Sequence, residues 1–259
     1  MTWIILSKII MKNLNKVIIS GGSKGIGFDL VKHYLSYGFK VLCISRRKPQ
    51  IIDNNLSFLR IDLSKKKELI KNKKKIEGFN CKYLICNAAD LGEINYFNST
   101  NIQKWQKSFF LNLFSHVYIT KYCLNSIKKK RGAVFFLAGG GAANSFKKFS
   151  AYSLAKTALV RFAENIAAES KNNYFSYAVT PGPVKTDLMK KTLKHGHKIE
   201  KNRIVKSNKL IELINYLMKS KKNFLNGKYI HVNDNYRKFT KKNSKDLFFL
   251  RRVENRNIK

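Results

Sequence analysis

Short apolar runs alternate with longer segments of helical periodicity along this chain, and this alternation limits the possible folds more than any other feature. Apolar runs of strand length occupy residues 17–19, 40–45, 56–61, 83–86, 133–137, 175–179 and 228–232. Segments with helical spacing cover residues 26–35, 64–75, 101–130, 150–171 and 210–218. Strands that alternate with helices are typical of βαβ units, in which helices cover both faces of a parallel sheet. The sequence therefore predicts an α/β fold with one doubly wound parallel sheet.

One domain accounts for most of the chain. With 44% hydrophobic residues, the 259 residues can bury one sizeable core, and no linker or internal repeat divides them. We assign residues 15–240 to this domain, 1–14 to an N-terminal extension with Met11 as an alternative start, and 241–259 to a basic C-terminal tail. The polar segment 190–209 is interpreted as a mobile loop with room for a short helix. No apolar run reaches the roughly 20 residues of a membrane helix, so we expect no membrane partner.

The formal net charge of +37 has two interpretations. The 52 Lys and Arg residues against 15 Asp and Glu are compatible with binding to nucleic acid, an anionic membrane or acidic substrates. They also match a compositional drift toward Lys, Asn and Ile, the residues of AT-rich codons. Lysine outnumbers arginine and is spread along the whole chain, which favours drift. We therefore predict no specific nucleic-acid partner.

The cysteines do not have the spacing of a metal site. Cys43, Cys81, Cys86 and Cys123 form no Cys-x-x-Cys pair, and no histidine accompanies them at zinc-site spacing. They are interpreted as small buried residues in a reducing compartment. The sequence thus predicts a cytoplasmic protein without a metal centre.

A glycine-rich turn joins the first strand to the first helix. After Ser20 its sequence is Gly21-Gly22-Ser23-Lys24-Gly25-Ile26-Gly27. Glycine permits a tight turn and close backbone approach, and the N-terminus of the following helix presents free N–H groups and a positive dipole end. A pyrophosphate fits such a turn, and dinucleotide-binding motifs require this strand-turn-helix context. The sequence therefore predicts a Rossmann-type dinucleotide-binding domain.

Further motifs follow this turn in order, and together they resemble the short-chain dehydrogenase/reductase family. The turn has the family's Gly-x-x-x-Gly-x-Gly spacing. The other matches are the segment Asn87-Ala88-Ala89, the helix residue Asn112, the Tyr-x-x-x-Lys pair Tyr152 and Lys156, and Pro181, Gly182, Val184 and Thr186 after the sixth strand. The resemblance implies an oxidoreductase that interconverts a carbonyl and a hydroxyl group on a small molecule with a nicotinamide cofactor. It also implies a homodimer or homotetramer, with a dimer built through the long helices 101–130 and 150–171.

The end of the second strand bears on the choice of cofactor. Rossmann proteins that prefer NAD carry an acidic residue there, which binds the ribose hydroxyls. This chain has Ser45-Arg46-Arg47-Lys48 instead, so no carboxylate repels a 2′-phosphate and two arginines can hold one. We therefore predict a preference for NADP(H), with NAD(H) as the alternative. By resemblance, Asp62 and Leu63 approach the adenine ring.

Tyr152 and Lys156 lie four residues apart on a predicted helix and therefore share one face. A nearby ammonium favours tyrosinate, so we expect the pKa of Tyr152 to fall below its ordinary value of about 10. Such a tyrosine exchanges a proton with a carbonyl or hydroxyl oxygen, while the cofactor supplies hydride. By resemblance, Lys156 also holds the nicotinamide ribose, and Asn112 positions a water in a proton relay.

One part of the family's catalytic set is missing. Thirteen positions before the tyrosine, where the family places a serine that donates to the substrate oxygen, this chain has Gly139. Three explanations are open: Asn144, Ser145 or a backbone N–H of residues 139–141 substitutes, the reaction needs no such donor, or the protein binds cofactor without efficient turnover. Because the asparagine, tyrosine and lysine are kept, we rank slow or altered catalysis first. A catalytically impaired dinucleotide-binding or regulatory protein is the alternative.

Overall fold

The computed structural model describes residues 15–243, which form one parallel sheet covered by helices on both faces. The sheet has seven strands in the order β3-β2-β1-β4-β5-β6-β7. The strands are β1 (Lys16–Ser20), β2 (Lys40–Ser45), β3 (Leu56–Arg60), β4 (Tyr83–Cys86), β5 (Ala133–Leu137), β6 (Phe175–Thr180) and β7 (Tyr229–His231). Each strand lies within the apolar run that predicts it or extends it by at most one residue at either end. The predicted α/β fold with a doubly wound parallel sheet is therefore confirmed.

The order of the strands reverses beside β1. Strands β2 and β3 extend the sheet to one side of β1, whereas β4 to β7 extend it to the other side. The register pairs Val17 of β1 with Val41 of β2 and with Tyr83 of β4, so the three strands end near one another. In open α/β sheets, ligands bind outside the carboxyl ends of the strands at such a reversal.

Eight α-helices lie within the part of the chain that the structure describes. They are α1 (Gly25–Ser36), α2 (Lys66–Lys71), α3 (Lys73–Gly78), α4 (Ile102–Phe109), α5 (Ser115–Lys129), α6 (Ser150–Glu169), α7 (Asp187–Lys194) and α8 (Ser207–Ser220). The long helix predicted over 101–130 is interrupted by one π-helical turn at Phe110–Phe114. This turn separates α4 from α5.

The helix predicted over 64–75 is also divided, and Ser64 does not cap it. Asn72 leaves the helical conformation, with φ −98° and ψ 6°, and separates α2 from α3. The residue before α2 is Lys65, which makes no side-chain capping bond. The Ser64 hydroxyl instead donates to Asp62 Oδ1 at 2.8 Å. Because its hydroxyl is bonded to Asp62, Ser64 does not provide the predicted cap.

The segment 190–209 is more ordered than the loop that its composition predicts. Helix α7 enters it from Asp187, and the Thr186 hydroxyl caps this helix by accepting a 3.3 Å hydrogen bond from the Met189 N–H. A single 3₁₀ turn at Lys201–Arg203 precedes α8. A loop remains between these elements, together with the short helix that the prediction allowed, and only the start of α8 at Ser207 was not predicted.

Two apolar clusters, one on each face of the sheet, pack the helices against the strands. On one face Leu30 of α1 and Leu213 of α8 are fully buried; on the other, Ile119 of α5 and Leu159 of α6 are fully buried. Burying a side chain of this size contributes roughly 1.5–3 kcal/mol. The four cysteines are buried and free, as predicted.

Residues 15–243 have neither a membrane-spanning helix nor a cluster of metal ligands. No helix in this range is long and apolar enough to cross a membrane. The same residues contain no group of three or more metal-ligating side chains. The N-terminal extension 1–14 and most of the predicted basic tail lie outside the described residues.

Candidate active site

The glycine-rich turn lies at the carboxyl end of β1. Gly21 and Gly25 have φ angles of +71° and +55°, a region that favours glycine. A Cβ atom on Gly27 would lie 2.2 Å from the Gly21 carbonyl oxygen, so only glycine lets α1 begin this close to the turn. No side chain caps α1 and its first turn holds no acidic residue, which leaves its first amides for an anion. The turn therefore fits the diphosphate of a dinucleotide.

Ser20 and Asn87 fasten this turn to the end of β4. Asn87 Nδ2 donates to the carbonyl oxygens of Ser20 and Gly21, both at 3.0 Å. The Ser20 hydroxyl accepts from the N–H groups of Asn87 and Ala88 at 3.0 and 3.1 Å. These bonds give Asn87 a clear structural task. Sequence analysis missed Ser20, because its partners lie 67 and 68 residues away.

The segment after β6 reaches over the glycine turn. A Cβ atom on Gly25 would lie 3.2 Å from Thr186 Cγ2, and Lys24 Nζ forms a 2.5 Å ion pair with Asp187 Oδ2. The hydrogen bond and charge of Lys24 lower the pKa of Asp187. The positive charge of Lys24 beside the turn is therefore partly offset by a carboxylate 163 residues further along the chain.

The ends of β2 and β3 form a cationic corner. Arg46 and Arg47 are exposed directly after β2. Asp62 Oδ1 accepts hydrogen bonds from the N–H and hydroxyl of Ser64 at 3.0 and 2.8 Å. Burial opposes the charge of Asp62, but these bonds and the charges of Arg46 and Lys107 outweigh it and lower the pKa of this carboxyl. Asp62 is therefore an ionised acceptor beside two cations.

A cleft of about 370 Å³ opens beside this corner. Four cationic and two acidic side chains are among its lining residues: Arg46, Lys104, Lys107, Lys191, Asp90 and Glu93. The excess of cations favours an anionic group in the cleft. Sequence analysis missed the three lysines, because only the packing of α4 and α7 against the sheet brings them to the cleft.

Tyr152 and Lys156 lie on one face of α6, and both are buried. Lys156 Nζ donates to the Leu137 carbonyl oxygen at 2.7 Å and lies 5.5 Å from the centre of the Tyr152 ring. Burial lowers the pKa of Lys156 to about 8. Burial, followed by the Tyr229 phenol, raises the pKa of Tyr152 to about 12. The predicted lowering is therefore wrong: lost solvation dominates, and the ammonium bonds to Leu137.

Asn112 lies in the π-helical turn and is fully buried. Its Nδ2 donates to the carbonyl oxygens of Asp90 and Ser108 at 2.7 and 2.9 Å, and its Oδ1 accepts from the Asp90 N–H at 3.3 Å. Single π turns within α-helices are frequent at functional sites. The side chain anchors the loop after β4, and its role in positioning a water stays a prediction.

Gly139 lies directly beside the Tyr152 hydroxyl. A Cβ atom on Gly139 would lie 2.9 Å from Tyr152 Oη, so the tyrosine already fills the space of a side chain there. The suggested substitutes Asn144 and Ser145 are exposed. A different hydroxyl, which the sequence did not indicate, contacts Gly139 itself. Tyr229 donates to the Gly139 carbonyl oxygen at 3.2 Å, although the two residues lie 90 positions apart in the chain. No local pattern marks such a contact.

Most of the predicted residues follow the carboxyl ends of parallel strands or lie on helices beside them, and thus share one edge of the sheet. At the ends of β1, β2 and β3 these are Gly21, Ser23, Lys24, Gly25, Ile26, Gly27, Arg46, Arg47 and Asp62. Beyond β4 and β6 and on the adjoining helices they are Asn87, Ala88, Ala89, Asn112, Tyr152, Lys156, Gly182 and Thr186. Pro181 and Val184 are half-buried, and Val184 bridges to Val205. Leu63 packs its side chain into the core.

A family model described as short chain dehydrogenase matches residues 15–196 of this chain. The chain therefore belongs to the short-chain dehydrogenase/reductase family. It is an oxidoreductase of a family that acts on small molecules with nicotinamide dinucleotide cofactors.

Individual relatives agree with this assignment. An uncharacterized oxidoreductase of Schizosaccharomyces pombe is 29% identical over 184 residues, which cover 66% of this chain and 72% of the relative. The Homo sapiens protein named dehydrogenase/reductase SDR family member 2, mitochondrial, is 24% identical over 237 residues, covering 83% and 84%. The crystal structure of a short chain dehydrogenase family protein from Francisella tularensis has a TM-score of 0.75 at 24% identity, and covers 84% of this chain and 96% of that chain. This structural likeness shows the fold.

Proposed function

We propose that this protein is an NADP(H)-dependent carbonyl reductase, running alcohol oxidation as the reverse reaction. The observation that carries the proposal is the buried Tyr152 hydroxyl beside the buried Lys156, on the edge of the sheet that also holds the glycine turn. This pair offers a proton close to where a dinucleotide on the turn would end.

The protonation state of Tyr152 supports carbonyl reduction near neutral pH. A tyrosine with a pKa of about 12 keeps its proton at neutral pH and suits a general acid. The substrate carbonyl oxygen accepts this proton while its carbon accepts the hydride that a bound reduced nicotinamide supplies. Lys156, with a pKa of about 8, is mostly protonated at pH 7 and stabilises the resulting tyrosinate. Oxidation needs tyrosinate first, so we expect it to accelerate as pH rises.

The cationic corner supports the preference for NADP(H). Arg46 and Arg47 are exposed after β2, and no carboxylate follows this strand to repel a 2′-phosphate. We expect Arg46→Ala to weaken NADPH binding by roughly ten- to a hundredfold, which corresponds to a hydrogen bond with a charged group, and to leave NADH binding unchanged. Arg131→Asn, before β5 at the opposite edge, is the control because Arg131 is also exposed and Asn tolerates its φ of +45°. Calorimetric titration with both cofactors measures these effects; tighter binding of NADH by the wild type contradicts the preference.

Gly139 supports a second candidate function, in which the protein binds the dinucleotide without efficient turnover. The hydroxyl donor that the family places there is absent, and losing one such donor typically costs roughly 100- to 1,000-fold in rate. The two functions separate in one assay: NADPH is bound first, and a panel of ketones and ketoacyl thioesters is then offered. Oxidation of NADPH by any member supports the reductase, whereas saturable binding with no oxidation supports the second candidate.

We also propose that the protein forms a homo-oligomer and is located in the cytoplasm. Ile102, Phe114 and Leu154 are large apolar side chains that are exposed on or beside α4 and α6. They support a homodimer through the long helices, or a homotetramer that contains it, in a cytoplasmic setting compatible with four reduced cysteines. Light scattering on the purified protein measures the assembly, and a monomer at all concentrations contradicts it.

A further inference from the structure

Tyr229 is the first residue of β7, and its phenol reaches past β6 to the segment that follows β5. In the sheet it pairs with Ala178 of β6, and its ring packs in the same apolar cluster as Ala138. Its hydroxyl donates a 3.2 Å hydrogen bond to the Gly139 carbonyl oxygen. A partly buried polar bond therefore ties β7 to a residue two strands away.

Gly139 begins a run of three glycines, which has little conformational stiffness of its own. Its carbonyl oxygen also accepts from the Ala142 N–H at 2.9 Å. Helix α6 holds the end of the run, since the Ser153 hydroxyl donates to the Gly141 carbonyl oxygen at 2.5 Å. Tyr229 adds the side-chain bond on Gly139 itself.

The same glycine lies beside the tyrosine to which we assign proton transfer. A Cβ atom on Gly139 would lie 2.9 Å from Tyr152 Oη, so the Gly139 backbone borders the space that this hydroxyl occupies. A misplacement of about 1 Å at a reacting group can cost about a hundredfold in rate. A contact that holds the Gly139 backbone in place therefore helps to hold the Tyr152 hydroxyl, the proton donor, in place.

We propose that Tyr229 is a positioning residue for proton transfer: its hydroxyl holds the Gly139 carbonyl and thereby keeps the glycine run against the Tyr152 hydroxyl. This inference rests on the proposed function, because it takes Tyr152 as the proton donor. Strand β7 thus provides a hydroxyl that holds the backbone of the position where the family has a serine.

The test compares Tyr229→Phe with Tyr174→Phe. Tyr174 is a matched control, because it is also buried and its hydroxyl donates to the Ile166 carbonyl oxygen at 2.7 Å, just before β6 and away from the site. We expect Tyr229→Phe to lower kcat roughly ten- to a hundredfold, with the KM for NADPH unchanged within about twofold. We expect Tyr174→Phe to keep kcat within about twofold while its Tm falls at least as far as that of Tyr229→Phe, since the phenol-to-carbonyl bond of Tyr174 is shorter and more deeply buried.

Two further readouts separate positioning from a merely structural role. In a Tyr152→Phe background, Tyr229→Phe should lower the remaining kcat by no more than about twofold, because its effect passes through Tyr152. In protein labelled with ¹³Cζ-tyrosine, the Tyr152 resonance, assigned by its loss in Tyr152→Phe, should shift or broaden in Tyr229→Phe and stay unchanged in Tyr174→Phe. Because this NMR measurement does not depend on catalysis, it can be made even if the protein turns over no substrate.

Equal kcat values in Tyr229→Phe and Tyr174→Phe overturn the proposal, as does an unchanged Tyr152 resonance. A full further loss of kcat in the Tyr152→Phe background overturns it too. If no carbonyl compound supports NADPH oxidation by the wild type, the proposed function fails. The Tyr152 resonance alone then decides the role of Tyr229.

Discussion

Replacing Lys156 with methionine is expected to stabilise the protein while abolishing its activity. Lys156 is buried against the Leu137 carbonyl oxygen, and burial lowers its pKa from 10.5 to about 8. Because the unfolded chain holds this proton more tightly, the charged lysine favours the unfolded state at neutral pH. A lysine that is costly to bury is kept, on our account, for its place beside Tyr152.

The magnitude follows from the pKa difference. Each unit is worth about 1.4 kcal/mol, so the charged lysine costs folding about 3 kcal/mol at pH 7. Methionine removes this cost but leaves the Leu137 carbonyl without its donor, which costs about 1–2 kcal/mol. The net gain is about 1–2 kcal/mol, or about 2–8 °C in Tm for a domain of this size. As pH rises from 8 to 10.5 the wild-type lysine releases its proton, so its penalty and the advantage of Lys156→Met disappear.

Urea unfolding at pH 7 and at pH 10 measures this effect in the wild type and Lys156→Met. Lys121→Met on α5 is the control, because Lys121 is exposed and the exchange should change stability by less than about 0.5 kcal/mol at either pH. A variant that is less stable than the wild type at pH 7 refutes the reasoning. A gain of equal size at both pH values also refutes it, since the advantage would then not depend on a proton.

Three other substitutions probe the site. Gly27→Val should remove dinucleotide binding, because its Cβ atom would lie 2.2 Å from the Gly21 carbonyl oxygen, whereas Gly78→Ala, with no atom within 4 Å of the new Cβ, should bind normally in the same titration. Tyr152→Phe should lower kcat by roughly 10²–10⁴-fold with cofactor affinity unchanged within about threefold; an unchanged kcat would remove the tyrosine from the mechanism. Gly139→Ser should reduce activity rather than restore it, because its Cβ would lie 2.9 Å from Tyr152 Oη, and a faster variant would contradict this packing.

The sequence predicts those parts of the molecule that depend on neighbouring residues. The alternation of apolar runs and helices predicted all seven strands, and the spacing of Tyr152 and Lys156 predicted their shared helix face. The glycine turn was equally local, since its shape depends on the φ angles of its own residues.

Contacts between distant segments could not be predicted in the same way. The ion pair of Lys24 with Asp187 joins residues 163 positions apart, and the bond from Tyr229 to Gly139 spans 90. The pKa of Tyr152 was predicted in the wrong direction because spacing reveals the nearby lysine but not the depth of burial, which dominates. The start of a helix was also predicted wrongly where a capping side chain has another partner: the Ser64 hydroxyl bonds to Asp62 and does not cap a helix.

Amide hydrogen–deuterium exchange with and without saturating NADPH tests most directly whether a dinucleotide binds at the carboxyl edge of the sheet. We expect slower exchange over residues 20–28, where the diphosphate would cover the first amides of α1, and over residues 86–90 beside them. Residues 70–79, in α2, α3 and the chain that leads to the amino end of β4, lie away from this edge and should exchange at unchanged rates. Protection elsewhere with none at the glycine turn, or no protection by NADPH or NADH in the folded protein, would contradict the site described above.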